Sequence, residues 1–197
     1  MERAMDKQKV ISFFDKHAEN WDVEMIRNEE VINVILDNAN VEQGVYVLDV
    51  ACGTGVLIPD YLKRGAAHVV GIDIAPNMVK IAAEKFAGKP VEICLGDVEN
   101  YPFTEKFDCI MVYNAFPHFP NPAKLVEVLS GLLKEGGRLC IAHGMSKEWI
   151  DRHHQGAASE VSVGLMEAEE LAALMTPYLD VRICISDEKM YQVVGIL

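Results

Sequence analysis

Five short apolar, β-branched runs recur through the middle of the chain: "VYVLDVA" (45–51), "HVVGID" (68–73), "VEICLG" (91–96), "FDCIMVY" (107–113) and "GRLCIAHG" (137–144). They lack the alternation of a half-exposed strand, so they fit strands covered on both faces, as in a parallel sheet. Helical patterns separate them. After Pro76, the residues Val79, Ala82, Ala83 and Phe86 keep i, i+3, i+4, i+7 spacing, and after "NP" at 121–122 one face carries Leu125, Val128, Leu129, Leu132 and Leu133. Asn121 and Pro122 read as an N-cap and first turn, and "GG" at 136–137 as the stop of that helix. Strand and helix in alternation define an α/β fold, a doubly wound Rossmann-like sheet with helices on both faces. Two closing strands, "LDVRICIS" and "MYQVVGIL", are joined by a short "DEK" and read as a hairpin. Seven strands are therefore expected, mostly parallel, one made antiparallel by the hairpin.

At 197 residues the chain suits a single domain, 1–197, with a full core. Residues 5–40 read as two helices ahead of the first strand, 45–144 as the sheet core, 145–165 as a long polar connection and 166–197 as a closing helix and hairpin. The formal net charge of −12 argues against nucleic acid, because phosphate binding needs clustered Lys and Arg; "KR" at 63–64 is the single adjacent basic pair. No stretch reaches the about 18 apolar residues of a membrane span, and the polar start "MERAMDKQK" does not read as a secretory signal. Neither nucleic acid nor membrane is an expected partner. Cys94, Cys109, Cys140 and Cys184 fall in strands and read as small buried hydrophobes of a reducing compartment, with a cytoplasmic location expected. None of the cysteines is paired at metal-ligand spacing, and no metal is assigned.

"ACGTG" (51–55) follows the first strand. Glycine there lets backbone approach a ligand, and the next helix offers free N–H groups. The dinucleotide fingerprint needs a third glycine where this chain has Ile58. Asp73 ends the second strand, 20 residues past Gly53, where an acid accepts from ribose hydroxyls of either NAD or S-adenosylmethionine. Asp97, just beyond the third strand, suits an adenine amino group, with Val98 as its apolar neighbour.

Taken in order, "VLDVACGTG", "GIDIAPNMV", "LGDVENYPF" and "FDCIMVYNAFPHF", with "FDKHAENWD" ahead of them and "LLKEGGRLCI" after, resemble the class I S-adenosylmethionine-dependent methyltransferases. The likeness covers about residues 10–197. It implies that Asp49 and the loop Ala51, Cys52, Gly53, Thr54 and Gly55 hold the methionine part of S-adenosylmethionine. It places Asp73 at the ribose, Ile74 and Met78 at the adenine faces, Asp97 and Val98 at its edge, and Asn114 and Ala115 beneath the sulfonium. Trp21 would belong to a lid formed by the N-terminal segment. Ala75 stands where that family often has a small hydroxyl residue opening the helix.

The resemblance implies methyl transfer to a small-molecule acceptor, with oxygen, nitrogen and sulfur nucleophiles all open. "NAFPHF" after the fourth strand replaces the pattern of enzymes that methylate base amino groups, and the paired glutamates of arginine methylation are missing. His118 and His143, at strand ends that face the crevice, are the candidate catalytic residues; with His153 and His154 they read as a base, an acceptor site or a metal cluster, or as surface and strand-end packing. A non-catalytic S-adenosylmethionine-binding module is the alternative, and an NAD-dependent oxidoreductase the weaker one. Oligomeric state is not legible.

Overall fold

The computed structural model describes residues 5–154 and 159–197, with the side chain of His154 outside that description. The N-terminal segment forms α1 (Lys7–His17), a 3-10 turn (Ala18–Asn20), α2 (Trp21–Glu24) and α3 (Glu29–Asn38), so its first helix is broken rather than continuous. Then follow β1 (Tyr46–Val50), α4 (Ile58–Lys63), β2 (His68–Asp73), α5 (Pro76–Lys85), β3 (Val91–Leu95), β4 (Phe107–Tyr113), α6 (Pro122–Gly131) and β5 (Leu133–His143). The chain closes with α7 (Lys147–His154), α8 (Ala168–Met175), β6 (Asp180–Ser186) and β7 (Tyr191–Ile196).

The seven strands form one sheet in the order β3-β2-β1-β4-β5-β7-β6. β7 runs antiparallel to both β5 and β6, and the other pairings are parallel. The expected architecture is the one observed. Successive side chains in a strand point to opposite faces, and here both faces are apolar. Leu48, Val50, Val70, Ile72, Ile110 and Val112 meet α6 and α8 on one side; Val47, Val69, Cys109 and Met111 meet α3 and α4 on the other.

Several details depart from the sequence expectation. The sixth helix ends at Gly131, and Leu133 already pairs with Phe107 in the sheet. An apolar pair such as Leu132-Leu133 suits a helix face and a buried strand equally; pairing with Phe107 beside β4 decides for the strand. The "GG" pair thus lies inside β5, at the irregularity between the Phe107 and Cys109 pairings, with Gly136 left-handed at φ +75°. Cys184 is exposed rather than buried, because β6 is the sheet's outer strand and alternates between half-buried and exposed residues. Finally, the polar connection contains α7, and on α5 Met78 and Ala82 face inward while Ala83 is exposed.

Candidate functional site

The sheet order reverses between β1 and β4, and ligands of such folds bind beyond the carboxyl ends of the strands at that point. The chain leaves both strands by the same unusual step. Ala51 after β1 and Asn114 after β4 are left-handed, at φ +53° and +54°. Such conformations cost a non-glycine residue about 1 kcal/mol or more and concentrate at functional sites. Asn114 is held by its Oδ1, which accepts from the Gly144 N–H at 3.0 Å, tying the β4 exit to the β5 exit.

The glycine loop continues from Ala51. Gly53 and Gly55 are left-handed at φ +56° and +80°. Asp73 grips the loop from the neighbouring strand: one carboxylate oxygen accepts from Gly53 N at 2.8 Å and the other from Ala75 N at 2.9 Å. Burial raises the Asp73 carboxyl above the usual range, against the pull of those N–H groups. Asp49, on β1, is more extreme. Burial, with Asp73 nearby, pushes it up to about 7, while Tyr61 pulls the other way. Burial also drives the Cys52 thiol well above its ordinary value, so Cys52 lines the loop as a neutral hydrophobe and not as a thiolate.

Asp97 follows β3, whose Leu95 pairs with Asp73 across the strands. Its Oδ2 accepts from Lys7 Nζ at 2.6 Å and Asn100 Nδ2 at 3.0 Å, and its Oδ1 from Glu99 N at 3.1 Å. Burial alone would raise Asp97; the Lys7 ammonium and the N–H donors outweigh it and hold the carboxyl below its usual value. Val98 and Met78 are buried, and Ile74 is half-buried.

The N-terminal segment lies directly over this region, by contacts that no local pattern announces. Asp15 of α1 accepts from the Asn77 N–H at 2.7 Å, which replaces the cap that Ala75 cannot give α5. Thr54 donates to Asp22, whose other oxygen receives Lys85 at 2.7 Å. Burial works against ionisation of Asp22, and these two donors more than compensate, holding its carboxyl below the usual range. A Cβ on Gly53 would lie 3.5 Å from Trp21 Nε1 and 3.9 Å from Met78 Sδ, so both side chains border the loop's open side. Phe14 links the two halves of the site, edge-on to Trp21 (5.4 Å) and to His118 (5.0 Å).

Three of the four histidines lie on different elements. His118, in the 3-10 turn Phe116–His118, has Nδ1 2.6 Å from the Val161 carbonyl oxygen. A carbonyl can only accept, so Nδ1 carries the proton and Nε2 the lone pair of the neutral ring. His143 is 1 % exposed at the end of β5, edge-on to Tyr191 at 5.9 Å. His153 is exposed and stacks on Trp149 at 4.4 Å, and the side chain of His154 lies outside the described residues. Ala115 is buried beside Phe116 beneath the β4 exit.

A Rossmann-like sheet with a glycine turn after β1 and carboxylates on β1, at the end of β2 and past β3 is the arrangement that the resemblance to methyltransferases implies. Residues 48–141 match the family model described as a methyltransferase domain. A malonyl-acyl-carrier-protein O-methyltransferase of Acetivibrio thermocellus is 30% identical over 141 residues, 70% of this chain and 50% of that protein. A ubiquinone biosynthesis O-methyltransferase of Xylella fastidiosa is 37% identical over 103 residues, 50% of this chain and 42% of that one. The chain thus spans about half the length of these curated relatives. The N-methyltransferase NodS of Bradyrhizobium japonicum, solved with S-adenosyl-L-homocysteine, shares the fold at TM-score 0.74 and 14% identity, covering 94% of this chain and 97% of that one. Residues 48–141 are thus a methyltransferase domain of the class I S-adenosylmethionine-dependent type, for which S-adenosylmethionine is the cofactor.

The residues present suit that group. A left-handed glycine turn offers backbone N–H groups and close approach, and buried carboxylates suit a ligand bearing hydroxyl, amino and sulfonium groups.

Proposed function

We propose that the chain transfers the methyl group of S-adenosylmethionine to a small-molecule acceptor, with His118 taking up the acceptor proton. The observation that carries this reading is Asp73, whose two oxygens lock the glycine loop while the carboxylate ends the second strand. When bound, the cofactor supplies an electrophilic methyl on a positively charged sulfur. The chain's part is positioning. Asp73 would meet the ribose, Asp97 the adenine amino group among its present donors, and Asp49 with residues 51–55 the methionine end. Ile74, Met78 and Val98 would bracket the base, Asn114 and Ala115 the reacting end, and Trp21 would cover it. His118 is the half-buried, tautomer-fixed imidazole beside Phe14, and Nε2 is its basic atom. His143, buried at the end of β5 and edge-on to Tyr191, is the second candidate for orienting the acceptor.

A hydroxyl nucleophile needs its proton removed, and the two curated relatives named above are O-methyltransferases, which favours a hydroxyl acceptor over a thiol. The negative net charge supports a small acceptor over nucleic acid, and among the described residues no helix is long and apolar enough to cross a membrane. We infer a cytoplasmic location from the five free cysteines.

Calorimetry with S-adenosylhomocysteine tests the cofactor half. Asp73→Ala is expected to weaken binding by about tenfold to 100-fold, the worth of charge-assisted hydrogen bonds; unchanged affinity removes Asp73 from the site. His118→Ala tests the acceptor half. Cofactor affinity is expected to hold within about twofold while turnover of an acceptor found by screening hydroxylated metabolites falls about 100-fold. Loss of affinity without loss of turnover would overturn the assignment.

A further inference from the structure

We propose that His68, Glu92 and Glu105 form a divalent transition-metal site at the end of the sheet remote from the glycine loop. His68 opens β2, Glu92 is the second residue of β3, and Glu105 lies in the connection just before β4. One donor atom from each lies within 4.8 Å of the other two, and His68 Nε2 is already 3.6 Å from Glu105 Oε1. The convergence follows from the register. Val70 pairs with Glu92, and alternation puts His68 on the same face as Val70, so imidazole and carboxylate share a side of adjacent strands. Asp73 ends the same strand five residues on, about 17 Å away at the usual rise, which separates this cluster from the cofactor site.

The donor set decides the chemistry. One imidazole with two carboxylates suits Zn²⁺ and its neighbours better than Mg²⁺ or Ca²⁺, which take oxygen ligands. Tetrahedral zinc, with bonds of about 2.0–2.2 Å, holds its ligand atoms roughly 3.4 Å apart. Contraction from the present spacing moves side-chain ends by about 1 Å at residues that are half-buried or exposed. Three protein ligands leave the fourth position to water, as in zinc sites with an open position.

Two neighbours hold the ligands in place. The Tyr46 ring packs edge-on against His68 at 5.6 Å, and the buried Cys94 thiol donates to Glu92 Oε1 at 3.5 Å. Partners behind a metal ligand of this kind orient it. An ion here would pin the connection from β3 to β4 to the edge of the sheet.

The test is calorimetric titration of Zn²⁺ into the metal-free full chain carrying Cys184→Ser, which removes the exposed thiol as a competing ligand. One site of micromolar affinity is expected, with a midpoint of thermal unfolding raised by about 5 °C at a hundredfold excess over the dissociation constant. Adding His68→Ala or Glu105→Gln should weaken binding at least tenfold while leaving the metal-free unfolding midpoint near its starting value, and Mg²⁺ should give no isotherm. Absence of a one-to-one Zn²⁺ isotherm, or equal affinity after His68→Ala, overturns the proposal. S-adenosylhomocysteine binding should survive both substitutions, so the outcome is independent of the methyl-transfer reading.

Discussion

Gly55→Ala should destabilise the chain by about 4 kcal/mol, summing a left-handed backbone cost with overpacking. Gly55 sits at φ +80°, where a Cβ collides with its own backbone. That penalty is the smaller part. The new methyl would overlap the Phe86 ring and lie 3.0 Å from Ile58 Cδ1. Phe86 caps α5 and is buried in the core that packs α4 against the sheet, so moving its ring disturbs that packing. Gly88→Ala is the matched control. Its φ of +75° is similar, yet nothing lies within 4 Å of the place its methyl would take, so it should cost only about 1 kcal/mol. Urea unfolding of the two variants separates the terms. If Gly55→Ala costs no more than Gly88→Ala, the packing of Phe86 under the loop is not the constraint.

The same loop shows what a linear reading can reach. Glycines, strand-end acids and apolar runs are local signals, and Gly53, Asp73 and the five parallel strands are legible because backbone geometry demands those residue types in place. Asp73 bonding to Gly53 spans 20 residues, a distance the βαβ repeat itself supplies. The tethers of the N-terminal segment are different. Lys7 reaches Asp97 across 90 positions and Asp15 reaches Asn77 across 62, and no periodicity encodes such pairs. Ala75 holds the one hint, since its missing cap asks for a carboxylate from elsewhere. Leu133 misleads for the opposite reason: its apolar character is plain, but period alone does not separate a last helical turn from the first residue of a buried strand. His68, Glu92 and Glu105 carry no spacing motif, since adjacent parallel strands bring together residues that the sequence scatters.

Asp49→Asn should make the chain more stable at pH 8, and the gain should vanish towards pH 4. The carboxyl titrates near 3.8 when solvated and at about 7 in the folded chain, because ionising it in the core beside Asp73 strands a charge away from water. Between those values the folded state holds a proton that the unfolded state has lost. The stability that Asp49 leaves intact below pH 4 is therefore lost progressively as pH rises to about 7, and no more is lost above. The full linkage is about 4 kcal/mol, at 1.36 kcal/mol per unit. An amide has no charge to bury and should recover most of it. Asp22 and Asp97, whose carboxyls are held low, contribute in the opposite direction, but they are common to both proteins and cancel in the difference. Denaturant unfolding of both chains at pH 4, 6 and 8 measures that difference, and parallel curves would show that Asp49 is not protonated in the fold. A cationic ligand beside the loop would draw the carboxyl back towards ionisation. S-adenosylmethionine binding below pH 7 should then release a proton, seen as a calorimetric enthalpy that changes with the buffer's own ionisation heat, and Asp49→Asn should abolish that dependence.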